Sequence, residues 1–402
     1  MKTGKIYRLI CAFLAAAVMI PLASCSKKDG SDKAPAAFGP YGASVARELA
    51  DKYPFRKAYS EGERGAGEFI KTRFEELGYD VKVQEFSGSA GRLSHNYIVS
   101  IEGKGFFDEN GDEVRRKVVI GAHYDDALSE LDTAGGYNGI SDNASGIGCI
   151  LTIASKIRTY EDMGFDIDIV AFGAGLSDYA GAYCYFNSLS GEERDQIEVM
   201  YCIDSIYAGD KMYASAGLNS LNPNKKYEMR RKLYQAYDVA YDRELASKNG
   251  YSLLYNESNI IADINGDGSP DIFREVSNRP SDYVVFDKAG IPVVYFDSCD
   301  YFFDTLEEMK ETKNLQLQQF GGNIRGTSLD ASSVLDPIFV SDDEDRLEIR
   351  INNTAYVILE SLMKGSDHAM TEAQYEQYLK DLKEGKITES TVPSESMGEG
   401  AA

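Results

Sequence analysis

The sequence predicts an α/β fold in which a mostly parallel, mixed central sheet is flanked by helices on both faces. Short apolar runs that end in glycine or a polar residue, as buried strands do, alternate with segments whose apolar residues recur at helical spacing. The predicted core strands cover residues 117–120, 167–172, 199–203 and 293–296. Strands that alternate with helices in this way build a parallel sheet that is covered on both faces.

The remaining apolar patterns place further elements around this sheet. Two helices are predicted within residues 44–77, and alternating runs on either side of a Gly/Ser-rich turn predict a hairpin over 81–101. Further helices are predicted over 144–157, 179–189, 282–289, 347–363 and 372–382. Residues 205–280, with a charged helical stretch over 227–245, interrupt the alternation. We expect this insertion to decorate the sheet rather than extend it.

The N-terminal residues have the pattern of a secretory signal. Basic residues precede an apolar run over 9–22, and Leu22-Ala23-Ser24-Cys25 resembles the lipobox of bacterial lipoproteins, in which the cysteine is lipidated. A transmembrane anchor is the alternative, but the run is shorter than the about 20 residues that span a bilayer. The pattern therefore predicts a lipid anchor at Cys25 that holds the protein outside the cytoplasmic membrane of a bacterium.

Composition and charge narrow the class of protein further. The predicted parts are a signal peptide over 1–24, a flexible tether over 25–42, one domain over 43–365 and a polar tail over 366–402. The net charge of −23 becomes −26 when Lys2, Lys5 and Arg8 leave with the signal, which argues against nucleic acid as a partner.

None of the cysteines that follow Cys25 has metal-ligand spacing: Cys149, Cys184, Cys202 and Cys299. The first three lie in apolar segments typical of buried cysteine, although an exported protein could also pair them in a disulfide.

The candidate metal-binding residues lie at or just after the ends of the predicted strands. His123 and Asp125 follow the first strand, Asp142 lies in the loop into the next helix, and Asp204 follows the third strand. Zinc accepts imidazole nitrogen and carboxylate oxygen, and a catalytic zinc site uses three protein ligands and a water molecule. Asp125 is placed to accept the other imidazole N–H of His123 and so fix its tautomer. The pattern predicts a zinc site formed by His123, Asp142 and Asp204.

The order of these motifs resembles metallopeptidase family 28, the co-catalytic zinc aminopeptidases. Taken singly, a histidine at a strand end, an aspartate before a helix and a loop acid have ordinary structural explanations. The resemblance rests on His123-Tyr124-Asp125, Ser141-Asp142-Asn143-Ala144-Ser145-Gly146, Ala171-Phe172-Gly173-Ala174, Asp204, Ser281-Asp282 and Ala289-Gly290-Ile291-Pro292. It extends over residues 44–365 and implies a three-layer sandwich that removes N-terminal residues from peptides.

The chain departs from the family pattern at the second metal. The resemblance places the general base and a ligand of the other zinc at Gly175 and Leu176, and Gly181 fixes this register, so Asp178 does not take the place of the base. The last histidine ligand would fall within 324–330, where Arg325 is the best positional match. The resemblance therefore implies one zinc ion, no second one, and weak or lost hydrolysis.

We hypothesise that Arg325 points at Asp142, or at a nearby acid of the same cluster, in place of the second ion. The alternative is a loop arginine that faces solvent. Two functions stay open at this point. The chain is either a lipid-anchored exopeptidase or a non-catalytic extracellular protein that binds peptides or another small ligand in the same cleft.

A second metal pattern lies in the insertion. Its oxygen-bearing residues alternate as in the start of an EF-hand calcium loop: Asp263, Asn265, Asp267 and Asp271. The twelfth position is Arg274 rather than a bidentate glutamate, so a plain acidic turn is the alternative to calcium. A serine triad has no support, because the chain contains no Gly-x-Ser-x-Gly elbow.

Overall fold

An eight-stranded mixed sheet forms the centre of the structure. The structure is a computed structural model, and it describes residues 34–88, 91–108, 110–127, 136–217, 220, 226–255, 260–262, 271–273, 279–301, 309–364 and 370–386. The strands of the central sheet are β1 (Lys82–Ser87), β2 (Leu93–Ile101), β5 (Lys117–His123), β6 (Asp166–Phe172), β7 (Ile197–Ile203), β8 (Lys211–Ser215), β9 (Leu253–Tyr255) and β12 (Val293–Cys299). The short strands outside it are β3 (Phe106–Phe107), β4 (Glu113–Val114), β10 (Ile260–Ala262), β11 (Asp271–Phe273) and β13 (Met370–Thr371).

The strand order is β1-β2-β6-β5-β7-β12-β8-β9. The four central strands, β6, β5, β7 and β12, run parallel to one another. On one side, β1 and β2 form the predicted antiparallel hairpin, and β2 pairs antiparallel with β6. The parallel core therefore presents the carboxyl ends of its strands at one edge, where open α/β sheets carry their sites.

Helices cover both faces of the sheet. They are α1 (Tyr41–Lys52), α2 (Glu61–Glu76), α3 (Ser145–Lys156), α4 (Ala180–Ser188), α5 (Gly191–Asp195), α6 (Lys226–Asp242), α7 (Leu245–Asn249), α8 (Tyr283–Lys288), α9 (Ser332–Phe339), α10 (Arg346–Met363) and α11 (Glu372–Lys383). The sheet has one hydrophobic core on each face, and alternate residues of β5 point into opposite cores. Val118 and Ile120 pack with α1, α3 and α10, while Val119 packs with α4 and α8. The predicted fold class, a three-layer α/β sandwich, is confirmed.

The insertion extends the sheet, so the expectation that it only decorates the sheet was wrong. Within residues 205–280, β8 pairs antiparallel with β12, and β9 pairs parallel with β8. These two strands continue the sheet beyond its parallel core. β8 pairs with backbone N–H and C=O groups of β12 that would otherwise lie unpaired at the edge of the sheet. The charged helical stretch of the insertion forms α6, which contacts α10 and β12.

The candidate calcium loop is only partly within the described residues. Asp271 lies in β11, which forms a two-stranded antiparallel hairpin with β10. Asp263, Asn265 and Asp267 lie outside the residues that the structure describes, so calcium stays a prediction. Cys25 and the whole signal segment also lie outside them.

The C-terminal region contributes a strand and a helix beyond residue 365, the predicted end of the domain. β13 pairs antiparallel with β3, and the ring of Tyr375 on α11 stacks on Phe107 with centroids 5.2 Å apart. Within the described ranges no helix is both long and apolar enough to cross a membrane. The thiols of Cys149, Cys184, Cys202 and Cys299 are all free.

Candidate metal centre

The three predicted ligands meet at the carboxyl edge of the parallel core. His123 is the last residue of β5, and Asp204 follows the last residue of the neighbouring strand β7. Asp142 lies at the same edge, on the segment that leads directly into α3. All three residues are buried, and their ligand atoms lie within 4.8 Å of one another.

The distances within this triad fit a metal ion. The Nε2 atom of His123 lies 3.4 Å from Oδ1 of Asp142 and 3.7 Å from Oδ1 of Asp204. Ligand atoms of one tetrahedral zinc ion lie roughly 3.3–3.6 Å apart, given metal–ligand distances of about 2.0–2.2 Å. Nε2 of His123 is buried and has no hydrogen-bond partner among the described residues, as expected of an atom that serves as a ligand. The triad is therefore a candidate metal site.

Asp125 orients His123 chiefly through its backbone. Nδ1 of His123 lies 3.0 Å from the backbone carbonyl oxygen of Asp125 and 3.4 Å from Oδ1 of the Asp125 carboxylate. In metal-free protein burial opposes a charge on His123, but its contacts with Asp125 and Asp204 raise its pKa well above the ordinary value. In the neutral imidazole that a metal requires, the proton on Nδ1 is donated to this carbonyl, and Nε2 is the lone-pair nitrogen that faces Asp142 and Asp204. The residue predicted to accept this N–H is therefore Asp125, through its backbone carbonyl, with its carboxylate also in contact.

The segment that carries Asp142 is clamped by Asp330. The Asp330 carboxylate accepts hydrogen bonds from the backbone N–H groups of Ser141, at 2.7 Å, and of Asp142, at 3.0 Å. Its backbone carbonyl accepts two more, from the N–H groups of Asn138 and Gly139. Asp330 itself is fully buried. The position of Asp142 is thus set by a residue almost two hundred positions further along the chain.

Asn143 joins the segment of Asp142 to the segment of Asp204. Its side-chain Nδ2 donates to the backbone carbonyl of Ile203 at 2.9 Å, and its Oδ1 accepts from the N–H of Ser205 at 3.0 Å. Because these two contacts lie on either side of Asp204, they fix the separation between the two ligand-bearing segments.

The turn after β6 is held by two buried acids. The Glu63 carboxylate accepts from the N–H of Ala174 at 2.7 Å. The Asp125 carboxylate accepts from the next two N–H groups, those of Gly175 at 2.7 Å and Leu176 at 3.0 Å. Three successive backbone N–H groups are therefore bound by buried carboxylates. These bonds fix the backbone of the turn and so the directions in which its side chains point.

Position 175 has no room for a side chain. A Cβ atom there would collide with the Cβ of His123, would lie 2.8 Å from its Cγ and would lie 3.2 Å from Oδ1 of Asp125. The following side chain, Leu176, points outward and is 48% exposed. Asp178 is exposed as well. None of these three positions brings a carboxylate to the triad.

Arg325 lies against the triad and beside a second buried acid. Nη1 of its guanidinium is 3.5 Å from Oδ1 of Asp204, and Nη2 donates to the backbone carbonyl of Asp204 at 3.4 Å. Nε of Arg325 is 3.1 Å from Oε1 of Glu311. The Oε2 atom of Glu311 accepts from the backbone N–H groups of Ile324 and Arg325. Among the acids of the cluster, the guanidinium therefore contacts Asp204 rather than Asp142.

Burial and neighbouring charges set the ionisation of these acids. Burial opposes ionisation of Asp204, but the charge of Arg325 and the contact with His123 hold the pKa of its carboxyl well below the usual range. Burial, followed by the charge of Asp125, raises the pKa of Glu63 to about 7. Burial raises the pKa of Asp282 to about 7, and neither of its carboxyl oxygens has a hydrogen-bond partner among the described residues.

Sequence reasoning missed three acids that hold the site together. Glu63 lies on helix α2, Glu311 lies on a loop and Asp330 lies before α9. Each contacts its target across a long stretch of chain, and none belongs to a local pattern of residues. The only available signal was that Asp330 falls in the same short segment as Arg325.

The fold and the triad together define a metallohydrolase-like α/β protein. The chain belongs to peptidase family M28, whose family model matches residues 96–324. One curated relative is the alkaline phosphatase isozyme conversion protein of Escherichia coli K12, which is 23% identical over 273 residues. That alignment covers 65% of this chain and 73% of the relative.

Solved structures with the same fold include two bacterial enzymes. BSAP, a zinc aminopeptidase from Bacillus subtilis, is 14% identical with a TM-score of 0.54 over 83% of this chain and 98% of its own. The glutaminyl cyclase of Porphyromonas gingivalis is 17% identical with a TM-score of 0.51 over 81% of this chain and 97% of its own. At these identities the similarity establishes the fold, and the family match establishes a peptidase-like protein.

Proposed function

We propose that this protein is an extracytoplasmic, lipid-anchored member of its family that binds one zinc ion and has weak or lost aminopeptidase activity. The zinc ligands would be His123, Asp142 and Asp204, with Asp125 holding the imidazole of His123. When bound, a zinc ion in such a site supplies Lewis acidity toward a carbonyl oxygen and lowers the pKa of water. The proposed ligands are peptides, because the family acts on peptides.

The observation that carries the proposal is the crowding at Gly175. By family resemblance this position belongs to the general base, and general-base catalysis contributes about 100- to 10,000-fold in rate. Gly175 has no titratable group, and a Cβ at this position would lie only 2.8 Å from Cγ of His123. Leu176 and Asp178 are directed to solvent. A water molecule at the triad would therefore have no carboxylate from this turn to take its proton.

The contacts of Arg325 support a single ion. The guanidinium brings a permanent positive charge to Asp204 at 3.5 Å, and Glu311 holds it there at 3.1 Å. A second dication beside this guanidinium would be repelled by it. We therefore assign Arg325 as the charge that replaces the second zinc.

A non-catalytic peptide-binding protein is the second candidate, and the exposure of Leu176 favours it. The Leu176 side chain is 48% exposed on the turn that is bonded to Asp125. An exposed leucine beside a metal site offers apolar contact to a ligand without contributing to hydrolysis. In this case the zinc would hold the ligand rather than activate water.

Metal analysis and turnover measured on the same preparation test the proposal. The expected result is one zinc per chain with Asp142→Ala reduced to none, and release of amino acids from aminoacyl p-nitroanilides far below about 1 per second, with or without added zinc. Turnover at or above that rate would overturn the proposed loss of activity. Binding of unlabelled peptides, measured by calorimetry, then separates a binding protein from one that has lost both roles.

The proposed anchor has its own test. The chain should fractionate with membranes when it is expressed with its first 24 residues, and Cys25→Ser should release it into the soluble extracytoplasmic fraction. A Cys25→Ser variant that stays membrane-bound would contradict lipidation at this residue.

A further inference from the structure

Arg56 is a fully buried arginine in the loop between α1 and α2. Its side chain has no exposed surface. Burial removes water from the guanidinium, which is costly unless its N–H groups find other partners. The partners of Arg56 therefore indicate what this buried charge does in the fold.

The guanidinium of Arg56 donates four hydrogen bonds, and each goes to a backbone carbonyl oxygen. Nε donates to Tyr124 at 2.9 Å, and Nη2 donates to Gly139 at 3.0 Å. Nη1 donates to Tyr53 at 2.8 Å and to Asn138 at 2.9 Å. A planar guanidinium reaches several carbonyl groups at once, which the compact ammonium of a lysine does not. This position therefore uses the shape of arginine as well as its charge.

Two of the segments that carry the ligand triad meet at this guanidinium. Tyr124 directly follows His123 at the end of β5. Two of the other carbonyl groups belong to the segment that leads to Asp142. Arg56 therefore joins the segment of His123 to the segment of Asp142, just as Asn143 joins the latter to the segment of the third ligand.

Gly139 shows how closely the arginine packs against the second of these segments. Its φ of +60° is a left-handed conformation, and an added Cβ would lie 2.6 Å from Nη2 of Arg56. The same Cβ would lie 2.9 Å from the carbonyl oxygen of Asp142. A side chain at this position would therefore push the guanidinium and the ligand-bearing segment apart.

The ion pair of Arg56 does not account for this arrangement. Oδ2 of Asp126 lies 3.5 Å from Nη1 of Arg56, and among the described residues neither carboxyl oxygen of Asp126 has a hydrogen-bond partner. The orientation of the guanidinium is therefore set by the four carbonyl groups. We propose that Arg56 is a positioning residue of the metal centre, which sets the separation between His123 and Asp142. This inference rests on the proposed zinc site.

Zinc affinity of the full chain and the visible absorption of bound cobalt(II) test this role. Arg56→Lys keeps the positive charge but loses the planar fork. It should weaken zinc binding by about 10- to 100-fold, as loss of a residue that orients metal ligands does, and it should change the cobalt(II) absorption bands. Ile358→Ala is the control for lost stability alone, because Ile358 is fully buried in the core that α10 covers. It should lower the urea midpoint and keep the zinc affinity and cobalt(II) spectrum of the wild type.

A second pair of variants decides the matter if Arg56→Lys does not fold. Gly139→Ala crowds the guanidinium and should weaken zinc binding. Gly136→Ala is the matched control, because Gly136 also has a positive φ but its added Cβ would meet only Oγ of Ser333, at 3.4 Å. This control should keep the zinc affinity of the wild type.

The outcomes separate this inference from the proposed function. Wild-type zinc affinity in Arg56→Lys, equal losses in Arg56→Lys and Ile358→Ala, or equal affinities in the two glycine variants would overturn the role of Arg56 and leave the proposed zinc site intact. Wild-type protein that binds no zinc would overturn both.

Discussion

Gly175 is not a proposed metal ligand, yet replacing it by alanine should disturb the metal centre. The added Cβ would lie 2.8 Å from Cγ of His123, roughly 0.7 Å inside the ~3.5 Å at which two carbon atoms pack well. Neither neighbour can move easily. The Gly175 N–H is bonded to Asp125, and Nδ1 of His123 is bonded to the carbonyl of the same residue. The imidazole must therefore shift or the turn must open.

Both responses have an expected magnitude. Overpacking of a close-packed site typically lowers the free energy of unfolding by about 1–3 kcal/mol. Displacing a metal-binding imidazole from its oriented position lowers metal affinity by about 10- to 100-fold, as loss of an orienting contact does. Gly175→Glu should show the same losses. It should not gain hydrolysis, because its carboxylate cannot be placed without moving His123.

Urea unfolding of the metal-free protein and zinc competition against a chromogenic chelator measure these two effects. Gly191→Ala is the matched control, because Gly191 begins α5 and no atom lies within 4 Å of its added Cβ. This control should keep zinc affinity and leave stability unchanged or slightly raised. If Gly175→Ala behaves like Gly191→Ala in both assays, the crowding argument fails, and the proposed loss of activity then rests only on the absence of a titratable group at Gly175.

Three further predictions concern the charges around the triad. Arg325→Gln should lower the free energy of unfolding by about 3–5 kcal/mol, because it removes the guanidinium beside Asp204 and leaves Glu311 only the more distant Arg279, at 3.7 Å. Chemical denaturation measures this, and an unchanged midpoint would contradict the pairing. Asp330→Ala should weaken zinc binding by about 10- to 100-fold while far-UV circular dichroism stays the same, because the N–H groups that hold Asp142 lose their acceptor. In metal-free protein, Asp282 has its pKa raised from 3.8 to about 7 by burial, so its contribution to stability is present below pH about 4 and is lost as pH rises toward 7. Asp282→Asn should remove a fall of a few kcal/mol from the pH dependence of urea unfolding, and an unchanged slope would show that the group titrates normally.

The parallel core could be predicted from sequence because each of its strands is buried on both faces. Such strands are near-continuous apolar runs, and β5, β6, β7 and β12 each contain one, interrupted in β6 by Asp168. The strands of the insertion could not be predicted in the same way. β8 and β9 are five and three residues long, and β9 pairs with a strand that lies about forty positions earlier. Their pairing is decided by the free edge of β12, which is a property of the folded sheet.

The metal centre could likewise be predicted only in part. His123, Asp142 and Asp204 were predictable because strand order alone brings the ends of β5 and β7 and the start of α3 to one edge. The contacts that hold them were not, because the clamp by Asp330 and the contacts of Glu63 depend on how loops and helices pack over that edge. The absence of a base at Gly175 was visible in the sequence. The lack of space for one was visible only once His123 and the turn after β6 were placed together.

The charges in contact at the site give an independent reason to propose a single ion. One dication would neutralise Asp142 and Asp204, and the positive charge of Arg325 is already matched by Glu311. Counted over the ion, Asp142, Asp204, Arg325 and Glu311, the charges sum to zero with His123 neutral. A second dication would add two positive charges beside the Arg325 guanidinium in a buried site, where unpaired charge is most costly. Removing the oppositely charged pair Arg325 and Glu311 would leave this sum at zero, so the pair does not decide the balance for one ion; the guanidinium beside Asp204 opposes a second dication by repulsion. The position of Arg325 beside Asp204 therefore favours a single ion, and the number of zinc ions bound by the Arg325→Gln variant at saturating zinc is the quantity that reports on this repulsion.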